Sequence, residues 1–175
     1  MKRLALALAA ASLVIAAVAC KPSGPGPAAG ASGAPATAAG APPYILTNDL
    51  KEVMGHAIDH TVDQIWLNQG WYIDASGETE LFPTDQRGWD LAANAGLALA
   101  EISNTLLIPG RGNSDEQAWR DYANSLFRQS MKAHVAAEAK DKQAFFDAGG
   151  LIYEVCKDCH QRYILGDVNA PPAPQ

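Results

Sequence analysis

Between Thr47 and Ile164 apolar residues recur at three-and-four spacing in four successive stretches, each closed by residues that stop a helix. Four amphipathic helices on short connections can hide their apolar stripes only against one another, so the pattern predicts an all-α fold, an antiparallel four-helix bundle. The first stretch opens at Thr47 or Asn48, either able to cap, and aligns Leu50, Val53, Met54, Ala57, Ile58, Thr61 and Ile65 before stopping by Gln69-Gly70. Trp71 to Pro83 holds Asp74, Ser76, Gly77 and Pro83 without sustained period and reads as a loop with room for a short helical turn. A second helix is expected from Thr84 or Asp85 to about Ile108, where Pro109-Gly110-Arg111-Gly112 ends it. Its inward face is Trp89, Ala92, Ala93, Gly96, Leu99, Ala100, Ser103, Leu106 and Leu107, mostly small, which admits a close helix or a flat ligand. The third starts at Asn113-Ser114-Asp115-Glu116 and runs to about Ala139 with Trp119, Tyr122, Ala123, Leu126, Phe127, Ser130 and Ala137 inward. The fourth spans about Lys142 to Ile164, and nothing between the helices reads as a strand or hairpin.

The chain begins Met1-Lys2-Arg3, and Leu4 to Val18 is an uncharged apolar run, the layout of a secretory signal peptide and too short for a mature membrane span. It ends in Ala17-Val18-Ala19-Cys20, which resembles a bacterial lipobox, with Cys20 acylated and becoming the new N-terminus. Ala17 stands where leucine is commoner, and Ala-x-Ala also suits ordinary cleavage; either cut exports the chain. The expected organisation is a signal peptide at 1–19, an Ala/Gly/Pro-rich tether at 20–43 anchored by Cys20, one helical domain at 44–166, and a flexible tail at 167–175 that adds nothing to the core. The expected localisation is exported, on the periplasmic side of a bacterial membrane and lipid-anchored. Of 13 Lys and Arg, two lie in the signal; set against 19 Asp and Glu, the remainder carries a formal charge of −8 and no basic cluster, which argues against a nucleic-acid partner.

Three cysteines are present, and if Cys20 is acylated the only thiols left in an oxidising compartment are Cys156 and Cys159, so a disulfide framework is not indicated. They lie in Cys156-Lys157-Asp158-Cys159-His160, within the fourth helix, where residues three and four apart share a face. Two thiols beside one imidazole suit covalent haem attachment, in which the thiols add to the porphyrin vinyl groups and the imidazole reaches the iron. A zinc site needs further ligands, and the sequence has no second Cys/His pair; a thioredoxin-like dithiol needs a strand before a helix start. Phe145, Gly149, Ile152, Tyr153 and Tyr163 share the motif's face, with Gly149 leaving room for a porphyrin or a close helix.

A helical bundle with Cys-x-x-Cys-His on its last helix resembles the class II c-type cytochromes, the cytochrome c prime group together with its low-spin methionine-ligated relatives. The resemblance covers about Asn48 to Tyr163, and its one specific motif is Cys156 to His160. It implies one haem c per chain on the C-terminal helix, held by thioether bonds from Cys156 and Cys159, with His160 as the proximal iron ligand. Low-spin relatives fill the sixth position with a methionine from the first helix, and the candidate is Met54, near the centre of its stripe. A filled position implies an electron-transfer protein, not an enzyme, serving redox partner proteins of unspecified identity; an open one implies a five-coordinate module binding nitric oxide or carbon monoxide. Homodimers are common in such bundles and are one assembly the resemblance allows.

Other candidates carry weaker signals. Met131 lies on the flank of the third helix and His134 at the edge of its inward face. His56 and His60 form an i, i+4 pair, but they point away from the Met54 stripe and read as solvated. Arg162, Lys157 and Arg87 are candidates to pair with haem propionates, and Trp66, Trp71, Trp89 and Trp119 read as core or haem-packing aromatics.

Overall fold

The structure, a computed structural model, describes residues 43–174; the expected signal peptide, the Cys20 anchor and the tether up to residue 42 lie outside the described residues. Tyr44–Gln175 forms one compact unit. The first helical segment is continuous but not uniform: α1 (Leu50–Glu52) passes into a π-helical turn (Val53–Ile58) and then α2 (Asp59–Trp66). Its cap is Asp49 rather than Thr47 or Asn48, because Asp49 is extended and its carboxylate accepts the Glu52 N–H at 2.8 Å.

The stretch expected to be a loop is instead a β-hairpin, β1 (Trp71–Asp74) and β2 (Gly77–Glu80), paired antiparallel with Trp71 opposite Glu80 and Asp74 opposite Gly77. Its turn is set locally. The Asp74 carboxylate accepts from the Ser76 N–H at 2.8 Å and from its hydroxyl at 2.5 Å, and Gly77 takes a φ of 129° that side chains disfavour. Every strand residue is exposed, so no inward-outward alternation marks it in the sequence.

Next come α3 (Gln86–Asn104), capped by Asp85 on Gly88 N at 2.7 Å, a 3₁₀ turn (Thr105–Leu107), α4 (Gln117–Glu138), and α5 (Lys142–Tyr163), capped by Asp141 on Ala144 N at 3.0 Å. The four helical segments pack together as a compact all-α domain, the hairpin being its only sheet among the described residues. No helix among those residues is long and apolar enough to cross a membrane. Ile65, Leu99, Phe145 and Ile152 are wholly buried at its centre. The C-terminal segment does touch the domain: Tyr122 Oη donates to Pro171 O, Ser125 Oγ donates to Pro174 O, and Ala173 is buried.

α3 and α4 approach most closely where the small residues fall. A Cβ placed on Gly96 would lie 2.6 Å from the His134 backbone nitrogen and 3.0 Å from Ser130 O, so no side chain fits there. His134 itself is tied across the contact, its Nδ1 donating to Ala93 O at 2.9 Å. Gly96→Ala must push two backbones apart, and we expect a loss of about 1–3 kcal/mol of unfolding free energy in urea denaturation. Gly150→Ala on α5, whose Cβ would meet nothing within 4 Å, is the control and should not destabilise.

Candidate cofactor site

α5 has two working faces. Phe145, Ala148, Ile152 and Val155 form the stripe that seals the core, as their spacing requires. Cys156, Cys159 and His160 lie on the adjoining face and border a cavity of about 750 Å³, within the range of small-molecule and cofactor sites. The cavity lies between α5 and the first helical segment, which contributes Lys51, Met54, Ile58, Asp59, Val62 and Trp66. Leu106, Trp119, Tyr122 and Leu126 complete much of its wall. Two hydrogen bonds brace that wall, Trp66 Nε1 donating to Gly149 O at 3.0 Å and Trp119 Nε1 donating to Leu106 O at 2.8 Å.

Met54 therefore borders the same cavity as Cys156, Cys159 and His160, from a separate element. Its neighbours differ from those expected. In an uninterrupted α-helix Met54 would sit roughly 80° from Val62 and roughly 120° from Trp66, and would align with Thr61 and Ile65. The π-turn, in which the Asp59 N–H reaches back to Met54 O, inserts one extra residue and turns Met54 by roughly 100° relative to α2. Val62 and Trp66 thus join Met54 on the cavity, while Ile65 is in the core and Thr61 Oγ1 donates to Ala57 O at 2.6 Å.

The remaining candidates are disposed elsewhere. Met131 borders a different groove with Arg128, Val135 and Leu151. His134 is committed to Ala93 O, with Glu138 3.6 Å from its Nε2. His56 and His60 are exposed, His56 lying 3.4 Å from Glu52. Lys157 pairs with Glu154 and lies 3.4 Å from Asp158, Arg162 donates to Val168 O at 3.3 Å, and Arg87 is exposed. Space at Gly149 is filled by the Gln69 carboxamide rather than opening onto the cavity. Of the tryptophans, Trp66 and Trp119 border the cavity, Trp89 is buried between Phe82 and Phe145, and Trp71 stands 42% exposed on the hairpin against Phe82 and Phe146.

One residue escaped sequence reading altogether. Arg111, in the glycine-rich loop after the 3₁₀ turn, is only 9% exposed, and its Nε and Nη1 have no hydrogen-bond partner. An arginine between two glycines reads as a solvated loop residue, and only the tertiary packing around it reveals otherwise.

Both thiols are free and half-buried. Burial, reinforced by the Asp59 carboxylate, pushes Cys156 up to about 11; burial, reinforced by Cys156, pushes Cys159 up to about 12. A dithiol-exchange centre needs the reverse, a thiolate held at neutral pH. Among the described residues no group of three or more His, Cys, Asp and Glu side chains is arranged to hold a metal ion, as a zinc site would require. What the cavity does offer is two protonated thiols, one imidazole and one thioether around an apolar space, a donor set that fits a covalently attached haem.

The thiol environment is testable on the chain without residues 1–20, made in the cytosol with its cysteines reduced. Iodoacetamide at pH 7.5 should label the folded protein at least about a hundredfold more slowly than the urea-unfolded chain, since two pKa steps above 9 remove that much thiolate. Because the folded values lie above the unfolded one, this contribution to stability is complete below about pH 9 and is lost as pH rises through about 11 to 12.

No family model matches the chain, and no curated protein or solved structure matches it either.

Proposed function

We propose that this chain is a monohaem c-type cytochrome that transfers single electrons on the periplasmic side of a bacterial membrane, tethered there by lipidated Cys20. The observation that carries the reading is the shared cavity, where Met54 from the π-turn meets the Cys156, Cys159 and His160 face of α5. In this reading Cys156 and Cys159 would hold the haem through thioether bonds to its two vinyl groups, a linkage that needs no oxidant. Bound haem supplies a one-electron couple at iron, whose potential depends on the axial ligands and on burial. His160, from the helix that carries the two cysteines, and Met54, from the π-turn, would hold the iron.

The protein's own part is to orient and to exclude water. Trp66, Trp119, Tyr122 and Leu126 present apolar surface, and the two indole hydrogen bonds hold the rings in place. α5 is anchored through its buried stripe, so its donor face has a fixed direction. A site that reorganises little on gaining an electron suits outer-sphere transfer, and no catalytic acid, base or nucleophile is assigned in this reading.

Ferric and ferrous absorption spectra of the holoprotein, compared with Met54→Ala, test the proposal. We expect a low-spin six-coordinate wild type whose methionine-to-iron charge-transfer band disappears in the variant, and loss of covalently retained haem in a Cys156→Ala, Cys159→Ala double variant. A high-spin five-coordinate spectrum, unaltered by Met54→Ala and shifted by carbon monoxide, would overturn electron transfer through His/Met ligation and favour a gas-binding cytochrome.

A further inference from the structure

The segment after α5, expected to be a flexible tail, folds back across α4 beside the cavity. Its reversal is built from backbone hydrogen bonds. Ile164 N and Leu165 N both donate to His160 O, at 2.9 and 3.1 Å, Gly166 takes a φ of 74°, and Asp167 N donates to Gln161 O at 3.0 Å. Ala170 N then donates to Asp167 O at 3.1 Å, and Arg162 Nη1 donates to Val168 O at 3.3 Å. The chain so turned lays residues 171–174, Pro-Pro-Ala-Pro, along α4 as a strap.

Proline has no backbone N–H, so a proline-rich strap offers a neighbour chiefly its carbonyls. In an extended proline-rich chain, with about three residues per turn, carbonyls three residues apart face the same side. Pro171 and Pro174 have that spacing, and α4 meets them with hydroxyl donors one helical turn apart. Tyr122 Oη donates to Pro171 O and Ser125 Oγ donates to Pro174 O, with Arg128 Nη2 3.5 Å from the same oxygen. Ala173, between the two carbonyls, is buried, and Ser125 has no exposed surface. Tyr122 joins this strap to the cavity, since the same residue is also cavity wall and stands edge-on to Tyr163 with ring centroids 6.3 Å apart. Gln161 and Leu165, at the root of the strap, border the cavity as well, and the root hangs from the carbonyl of His160.

We propose that the strap at 171–174 is a latch that closes the Tyr122 side of the cavity, and that this side opens when the strap lifts from α4. The latch acts whatever group the cavity receives. Its hold on Tyr122 and Ser125 comes from side chains, so it lifts about Gly166 without unwinding a helix, a smaller opening than global unfolding. Lifting releases the Tyr122 hydroxyl, and the ring is then free to leave the cavity wall.

The test uses the chain without residues 1–20, haem-free and reduced, so its outcome is separate from that of the cytochrome reading. Iodoacetamide labelling of Cys156 and Cys159, which border the cavity, is followed at pH 7.5 across urea concentrations below the unfolding transition. Two altered chains are measured beside it, one stopped after Asn169 and one carrying Tyr122→Phe with Ser125→Ala. In the unaltered chain the rate should hardly change with urea, the mark of a local opening that exposes little surface. The chain stopped after Asn169 should label about tenfold faster with the same shallow urea dependence. The double variant keeps the strap but not its two hydroxyl bonds and should label severalfold faster; it carries the test alone if the shortened chain does not fold. Either altered chain labelling at the unaltered rate would overturn the proposal. A steep urea dependence in all three would overturn it too, because the thiols would then be reached only by global unfolding.

Discussion

The architecture depends on the contact of α3 with α4, where Gly96 lets the two backbones come closer than any side chain would allow. Alanines and serines fill the rest of that seam, with Ala92, Ala93 and Ala100 facing a helix that brings Ser130, Ala133 and Ala137. A seam this tight has no room for a ligand. The spare volume falls elsewhere in the domain, where the first helical segment and α5 border a cavity walled by Trp66, Trp119, Tyr122 and Tyr153. Small residues in one interface thus decide where the large ones make a site, since a bundle of fixed helices distributes its packing volume rather than creating it.

α5 makes the same trade within one helix. Its core stripe runs through Ile152 to Val155, which also borders the cavity, and Tyr153, Cys156, Cys159 and His160 lie on the face beside it. One helical period therefore both seals the domain and aims the donors, and no loop is needed to deliver them. The burial that keeps the thiols protonated results from that position and removes them from exchange chemistry without any dedicated device.

How far the sequence could be read depends on what each element packs against. α3, α4 and α5 were legible to within a few residues because their stripes are buried in one core, and burial is what writes period 3.6 into a sequence. The hairpin was not legible for the complementary reason. Trp71, Tyr72 and Ile73 are 42%, 58% and 72% exposed, so they obey strand propensity without the alternation that a buried face imposes. Its one usable signal was Asp74 three residues before Gly77, a turn pattern whose meaning rests on side-chain hydrogen bonds. Arg111 and the contacts of Pro171 and Pro174 with α4 were invisible because distant segments create them, leaving nothing in the local composition to find.

Met54 is the instructive case, because the helical phase used to place it does not hold in the folded segment. Counting at a constant 100° per residue aligned it with Thr61 and Ile65, whereas the folded segment aligns it with Val62 and Trp66. The difference is one residue absorbed in the turn at Val53–Ile58, which also holds Gly55, exposed and with no atom within 4 Å of a would-be Cβ. Glycine is a poor helix former and gives the turn freedom to take the wider hydrogen-bonding pattern. The π-turn is thus what lets a single segment send Ile65 into the core and Met54 to the cavity, two demands that regular α-helix spacing over eleven residues would merge onto one line. Straightening it would carry the sulfur with Ile65's side of the helix, so the direction of that sulfur is set by backbone hydrogen bonding in the turn as much as by the residue's place in the sequence.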